Sequence, residues 1–173
     1  MFVDFKEIPE DAKVWVYPSS RKFYPNEIEI IEEKVKKFIE SWKSDDTSFK
    51  ASYKFLHNRF IIITADDIAT ELSNADIDAS VSFILSLQET YEVALLDRMN
   101  VCFKQGEHVQ YKDLKDFKKL LKNKALTDKS VIFDKPTGDI NNSPIDSIKY
   151  ITSKYANGTI PFSSAFPLLI AKI

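Results

Sequence analysis

Residues 50–63 read Lys50-Ala51-Ser52-Tyr53-Lys54-Phe55-Leu56-His57-Asn58-Arg59-Phe60-Ile61-Ile62-Ile63, and this stretch decides the fold. Phe49, Ala51, Tyr53 and Phe55 alternate with Lys50, Ser52 and Lys54. A period of two puts the two sets on opposite faces of a strand, one buried and one wet. His57-Asn58-Arg59 turns the chain. Phe60 to Ile63 is apolar at every position, the pattern of a strand buried on both faces. The pair therefore reads as an edge strand turned back onto an inner one.

Upstream, Lys13 to Tyr17 (KVWVY) is a short strand closed by Pro18-Ser19-Ser20. Pro25 opens a helix, where its missing N–H costs nothing. Ile28, Ile31, Val35, Phe38, Ile39 and Trp42 follow at steps of three and four and make one apolar face. Glu27, Glu29, Glu32 and Glu33 precede Lys34, Lys36 and Lys37, as the helix dipole favours. Downstream, a polar connection leads to a second helix, capped by Asp76 or Asp78, with Ile77, Val81, Ile84, Leu85 and Tyr91 as its apolar positions. A strand follows, with Met99, Val101 and Phe103 on one face and Asn100, Cys102 and Lys104 on the other.

The order βαββαβ is that of a ferredoxin-like α+β core. In that arrangement the first and third strands are central and the second and fourth are edges. The burial patterns agree, since the first and third runs are apolar on both faces and the other two alternate. Gln105-Gly106-Glu107 then makes a β-hairpin to His108–Tyr111. Leu114, Phe117, Leu120 and Leu121 make a third helix, and Val131-Ile132-Phe133 another strand. Residues 1–134 are expected to form a single α+β domain. Residues 135–173 are a loop and C-terminal tail, whose apolar end (IPFSSAFPLLIAKI) is expected to pack on this domain or on a partner subunit.

Composition narrows the function by exclusion. The 173 residues hold three glycines, Gly106, Gly138 and Gly158, and no two lie within fifteen residues of each other. Neither the phosphate loop nor the dinucleotide fingerprint can exist without closely spaced glycines. A net charge of −2 predicts no nucleic-acid partner. No apolar stretch approaches the ~18 residues of a spanning helix, so no membrane association is expected. The N-terminus, MFVDFKEIPEDAK, lacks a basic region followed by an apolar run, so no signal peptide is expected. Cys102 is the single cysteine, which rules out an internal disulfide and points to a cytoplasmic setting.

Several segments carry a resemblance: KVWVYPSSR (13–21), KASYKFLHNRFIII (50–63), DIDASVSFI (76–84) and LLDRMNVCFKQGEHVQYKDLKDFKKLL (95–121). They are similar to a family of small bacterial proteins that carry the label "ABC transporter ATPase". The likeness covers most of residues 1–134, and IPFSSAF (160–166) is similar to the family's tail. The label implies ATP hydrolysis, but this chain has neither a phosphate loop nor an ABC signature sequence. Where relatives look like GCSID, this chain has Asn74-Ala75-Asp76-Ile77-Asp78, so Ala75 replaces a cysteine. A small residue packing at the helix start accounts for both.

Arginine is scarce, three against 21 lysines, which draws attention to Arg21, Arg59 and Arg98. A guanidinium fork suits carboxylate or phosphate, so the three are candidates for an anion site. The competing reading is three separate surface or capping arginines. Asp76, Asp78 and Asp97 form a candidate polar cluster. Asp66, Asp67 and Glu71 lie near its first two members, but the spacing matches no calcium loop, and capping explains them more economically. Cys102 needs a base to act as a nucleophile, and only His57 and His108 exist. His108 lies across the hairpin from Cys102. Two histidines and one cysteine do not make a structural zinc site, and neither a metal nor a cofactor is expected. Trp15 and Tyr17 project opposite to Val14 and Val16. If the valines face the helices, the aromatics lie on the open face of the sheet. With Phe162 and Phe166 of the tail they form a candidate interaction surface. The expected function is accordingly a non-enzymatic cytoplasmic interaction or self-associating module. The alternative is a small-molecule protein or enzyme that holds an anionic ligand on Arg59 or Arg98 with a nearby Asp.

Overall fold

The computed structural model describes residues 1–9, 12–42, 49–66, 71–97, 99–126 and 132–133. Among the described residues, chain contacts give two compact units, one up to Leu96 and one from Asp97 onward. Both are mixed α+β, and among the described residues there are three α-helices and two antiparallel sheets, with no barrel.

The first unit contains β1 (Lys13–Pro18), α1 (Pro25–Ser41), β2 (Ala51–Leu56), β3 (Phe60–Ala65) and α2 (Asn74–Tyr91), after a short 3₁₀ turn at Phe5–Glu7. The sheet order is β1-β3-β2, antiparallel throughout, with Trp15 opposite Ile63 and Tyr53 opposite the same residue on the other side. All six residues of β3 are buried, as a strand apolar on both faces must be when it lies between two neighbours. The turn between β2 and β3 has His57 and Asn58 at φ of +53 each.

Trp15, Tyr17, Ala51, Tyr53, Phe55, Ile61, Ile63 and Ala65 pack with Ile31, Val35 and Ile39 of α1 and Ile84 and Leu87 of α2 in one apolar cluster. This reverses the expected facing of β1. Trp15 and Tyr17 turn toward the helices. Tyr17 is 7% exposed, and Trp15 meets Trp42 edge-on at 5.9 Å between centroids. Val14 and Val16 on the other face are buried too, so alternation within β1 carried no information about which face the helices cover.

The start of α2 also differs from expectation. Its N-cap is Ser73, whose Oγ accepts from the Asp76 N–H at 3.2 Å. Asp76 is the third residue of the capping box, and its Oδ2 accepts from the Ser73 N–H at 2.8 Å. The buried face of α2 runs through Asp76, Ser80, Ile84 and Leu87, while Leu85 is exposed. Two polar residues on the inner face hid the period.

The second unit pairs β4 (Asn100–Gln105) with β5 (His108–Asp113) and with β6 (Ile132–Phe133) in the order β5-β4-β6. A two-residue turn opens on Gly106 at φ +59, where glycine is unstrained. Asp113 caps α3 (Leu114–Lys122) by accepting from the Asp116 N–H at 2.7 Å. Val101, Phe103, Phe117 and Leu126 form its core, with the Phe103 and Phe117 rings 5.5 Å apart. The fourth strand, expected at a sheet edge, has a neighbour on each side. A strand has two edges, and those of β4 are engaged by its hairpin partner and by β6. The residues expected to form the loop and tail, 135–173 with Phe162 and Phe166, lie outside the described residues. No helix among the described residues is long and apolar enough to cross a membrane.

Candidate functional site

The three arginines are engaged or outside view. Arg21 follows β1, and Glu27 occupies the first turn of α1. Nη1 and Nη2 of Arg21 donate to Oε2 and Oε1 of Glu27 at 2.8 Å each. Nη1 also reaches the Lys22 carbonyl at 3.1 Å, and Nη2 the Tyr91 carbonyl at 2.9 Å. Four of the five N–H groups of this guanidinium therefore bind the protein itself. The hydrogen bonds with Glu27 raise the Arg21 pKa and lower that of Glu27, desolvation opposing both shifts. Arg59 closes the β2–β3 turn, is 7% exposed, and donates through Nη1 to the Ser19 carbonyl at 2.8 Å. Arg98 lies outside the described residues.

Of the candidate acidic residues, Asp76 and Asp97 hold local structure. Asp76 serves the capping box, and its carbonyl accepts from Trp42 Nε1 at 2.9 Å, tying the end of α1 to the start of α2. Asp78 is exposed. Asp97 accepts from the Met99 N–H at 2.8 Å and from Asn100 Nδ2. Among the described residues no cluster of His, Cys, Asp and Glu could hold a metal ion. Cys102 is buried opposite Tyr111, whereas the exposed His108 stands opposite Gln105, three rungs along the hairpin. Tyr17, the other candidate side chain on β1, is pushed far up in pKa by burial, against a hydrogen bond with Ser80.

A different feature appears on the outer edge of β2. Residues 1–3 run beside the start of this strand: the Ala51 N–H donates to the Met1 carbonyl at 3.0 Å and the Val3 N–H to the Ala51 carbonyl at 3.1 Å. The backbone groups of Ala51 thus point away from β3. In an antiparallel pair the hydrogen-bonding direction alternates, so those of Tyr53 and Phe55 point outward as well. Past Val3 the chain leaves the edge into the 3₁₀ turn, whose N-cap is Asp4, with Oδ1 accepting from the Lys6 N–H at 2.9 Å. The outward N–H and C=O groups of Tyr53 and Phe55 are left without a backbone partner among the described residues.

An open groove of about 440 Å³ lies along this edge. Phe2, Phe5, Tyr53 and Phe55 supply its apolar walls, and Asp4, Glu32 and Lys54 its charges. The Phe2 and Tyr53 rings are 5.8 Å apart and the Tyr53 and Phe55 rings 6.4 Å. Burial raises the Tyr53 pKa, and the Glu32 charge raises it further. Sequence reading found the edge but not the groove. Its apolar walls include Phe2 and Phe5, three residues apart in a stretch too short to show a period.

No family model, curated protein or solved structure matches the chain.

Proposed function

We propose that this protein is a non-enzymatic interaction module that takes up an extended segment of a partner polypeptide as an added strand along β2. The single observation that carries this reading is the outward row of N–H and C=O groups at Tyr53 and Phe55 beside an aromatic groove. Unpaired edge groups are a template for another strand, and adjacent pockets receive its alternate side chains. Residues 1–3 already use the same edge one register step earlier, which supports its competence for pairing. The order β1-β3-β2 supports, within the same proposal, a first unit built as the first three strands of a ferredoxin-like core. The lone buried Cys102 fits a reducing, cytoplasmic setting. An anion-binding role draws no support from Arg21, whose donors are consumed internally.

The test uses the full chain, labelled with ¹⁵N, and the neutral strand peptide acetyl-Thr-Val-Thr-Val-Thr-amide. Saturable shifts and slowed hydrogen exchange at the Tyr53 and Phe55 amides are expected. The same peptide with N-methyl valines cannot donate at those positions and should not bind. Absence of both effects at millimolar peptide, or equal binding of the N-methyl form, would sink the proposal.

A further inference from the structure

Lys54 stands at the centre of the open edge, between the two residues whose backbone groups point outward. Its ammonium lies 5.5 Å from the centroid of the Phe5 ring. It is within ion-pairing distance of no carboxylate among the described residues. The nearby Asp4 carboxylate accepts from the Lys6 N–H of the 3₁₀ turn. Glu32 belongs to α1, on the helix-covered side of the sheet, where it acts on Tyr53. Lys54 projects to the opposite side, since neighbouring residues of a strand alternate.

We infer that the segment β2 takes up carries an acidic side chain opposite Lys54 and an apolar side chain on either side of it, and that Lys54 bars a second copy of this chain from the same edge. This rests on the strand-addition reading above. Side chains directly across an antiparallel pair have Cβ atoms ~5 Å apart, where opposite charges attract and like charges repel. The residues flanking the acidic one pair with Tyr53 and Phe55, so they point to the helix side, against Phe2 and the two aromatic rings. A second copy meets the reverse situation. Two-fold pairing that sets Tyr53 of one copy against Phe55 of the other places Lys54 directly against Lys54. Lysine on an edge strand is a recognised block to self-pairing.

The experiment compares acetyl-Thr-Val-Glu-Val-Thr-amide with acetyl-Thr-Val-Lys-Val-Thr-amide on the ¹⁵N-labelled full chain, with the neutral peptide above as reference. The glutamate peptide is expected to bind roughly fivefold to tenfold more tightly than the lysine peptide, and added salt should narrow the gap. Lys54→Glu should reverse the order, and Lys54→Met should bind both alike. Equal binding of the two charged peptides to the wild-type chain, with shifts at Tyr53 and Phe55, overturns the inference and leaves strand addition standing. No shift with any of the three peptides overturns strand addition itself. Wild-type chain sedimenting as a dimer with protected Tyr53 and Phe55 amides overturns the barring role of Lys54.

Discussion

Glu27 accepts three hydrogen bonds at once, two from Arg21 and one from the Tyr24 N–H at 2.8 Å. It closes the first turn of α1 and ties it to the segment after β1. Its folded pKa lies below the ordinary 4.5, the Arg21 hydrogen bond being the largest cause. A depressed carboxylate contributes stability that is complete above the unfolded pKa and lost as pH falls through the folded one. Glu27→Gln keeps the shape and removes the charge. It should destabilise the chain by about 1 kcal/mol at neutral pH, partial exposure of Arg21 keeping the figure low. The urea midpoints of wild type and variant should converge as pH drops below about 4.5; midpoints that stay parallel would remove the pair from the account. The rarity of arginine marked Arg21 in the sequence. Its partner was not legible, because Glu27 is one of four glutamates in the first half of the helix and spacing does not say which one an upstream arginine takes. Lys54 is the second residue with a consequence of its own. Lys54→Val removes the like-charge contact and adds a β-branched residue to an open edge, so sedimentation should show concentration-dependent dimers that wild type does not form.

At the scale of elements, α2 ends on a residue poorly suited to its place. Glu92 occupies the C-cap with φ of +50, and its carboxylate sits at the negative end of the helix dipole. Glu92→Gly relieves the left-handed strain and should raise stability by about 0.5–1 kcal/mol. A higher urea midpoint with unchanged slope checks it. The strands and helices themselves were legible, because periods of two and of three to four are strong signals in β2, α1 and α3. What was not legible has common physical causes. β1 is apolar on both faces, so its pattern cannot say which side the helices take. α2 buries Asp76 and Ser80, so its inner face does not look apolar. The cap at Ser73 is hidden in the sequence because Asp76 and Asp78, also good capping residues, follow within five residues. The groove beside β2 depends on residues 1–5 lying next to residues 51–55, and no local pattern encodes that distance along the chain.

At the scale of the molecule, each unit has its own apolar cluster, and the described core of the first is the larger. Both tryptophans of the chain, Trp15 and Trp42, sit in the first cluster and touch edge to face. Tryptophan emission is therefore a lamp fixed in one half of the protein. It reports on the join between β1 and the end of α1. Amide circular dichroism reports on both halves. Heating is expected to give a dichroism curve that begins to fall before the emission changes, as the smaller core melts first. Superposed curves would instead mean that the two units unfold as one. The same geometry makes the near-ultraviolet dichroism a property of the ring pair. Trp15→Phe and Trp42→Phe should each remove more of that signal than a single isolated indole contributes.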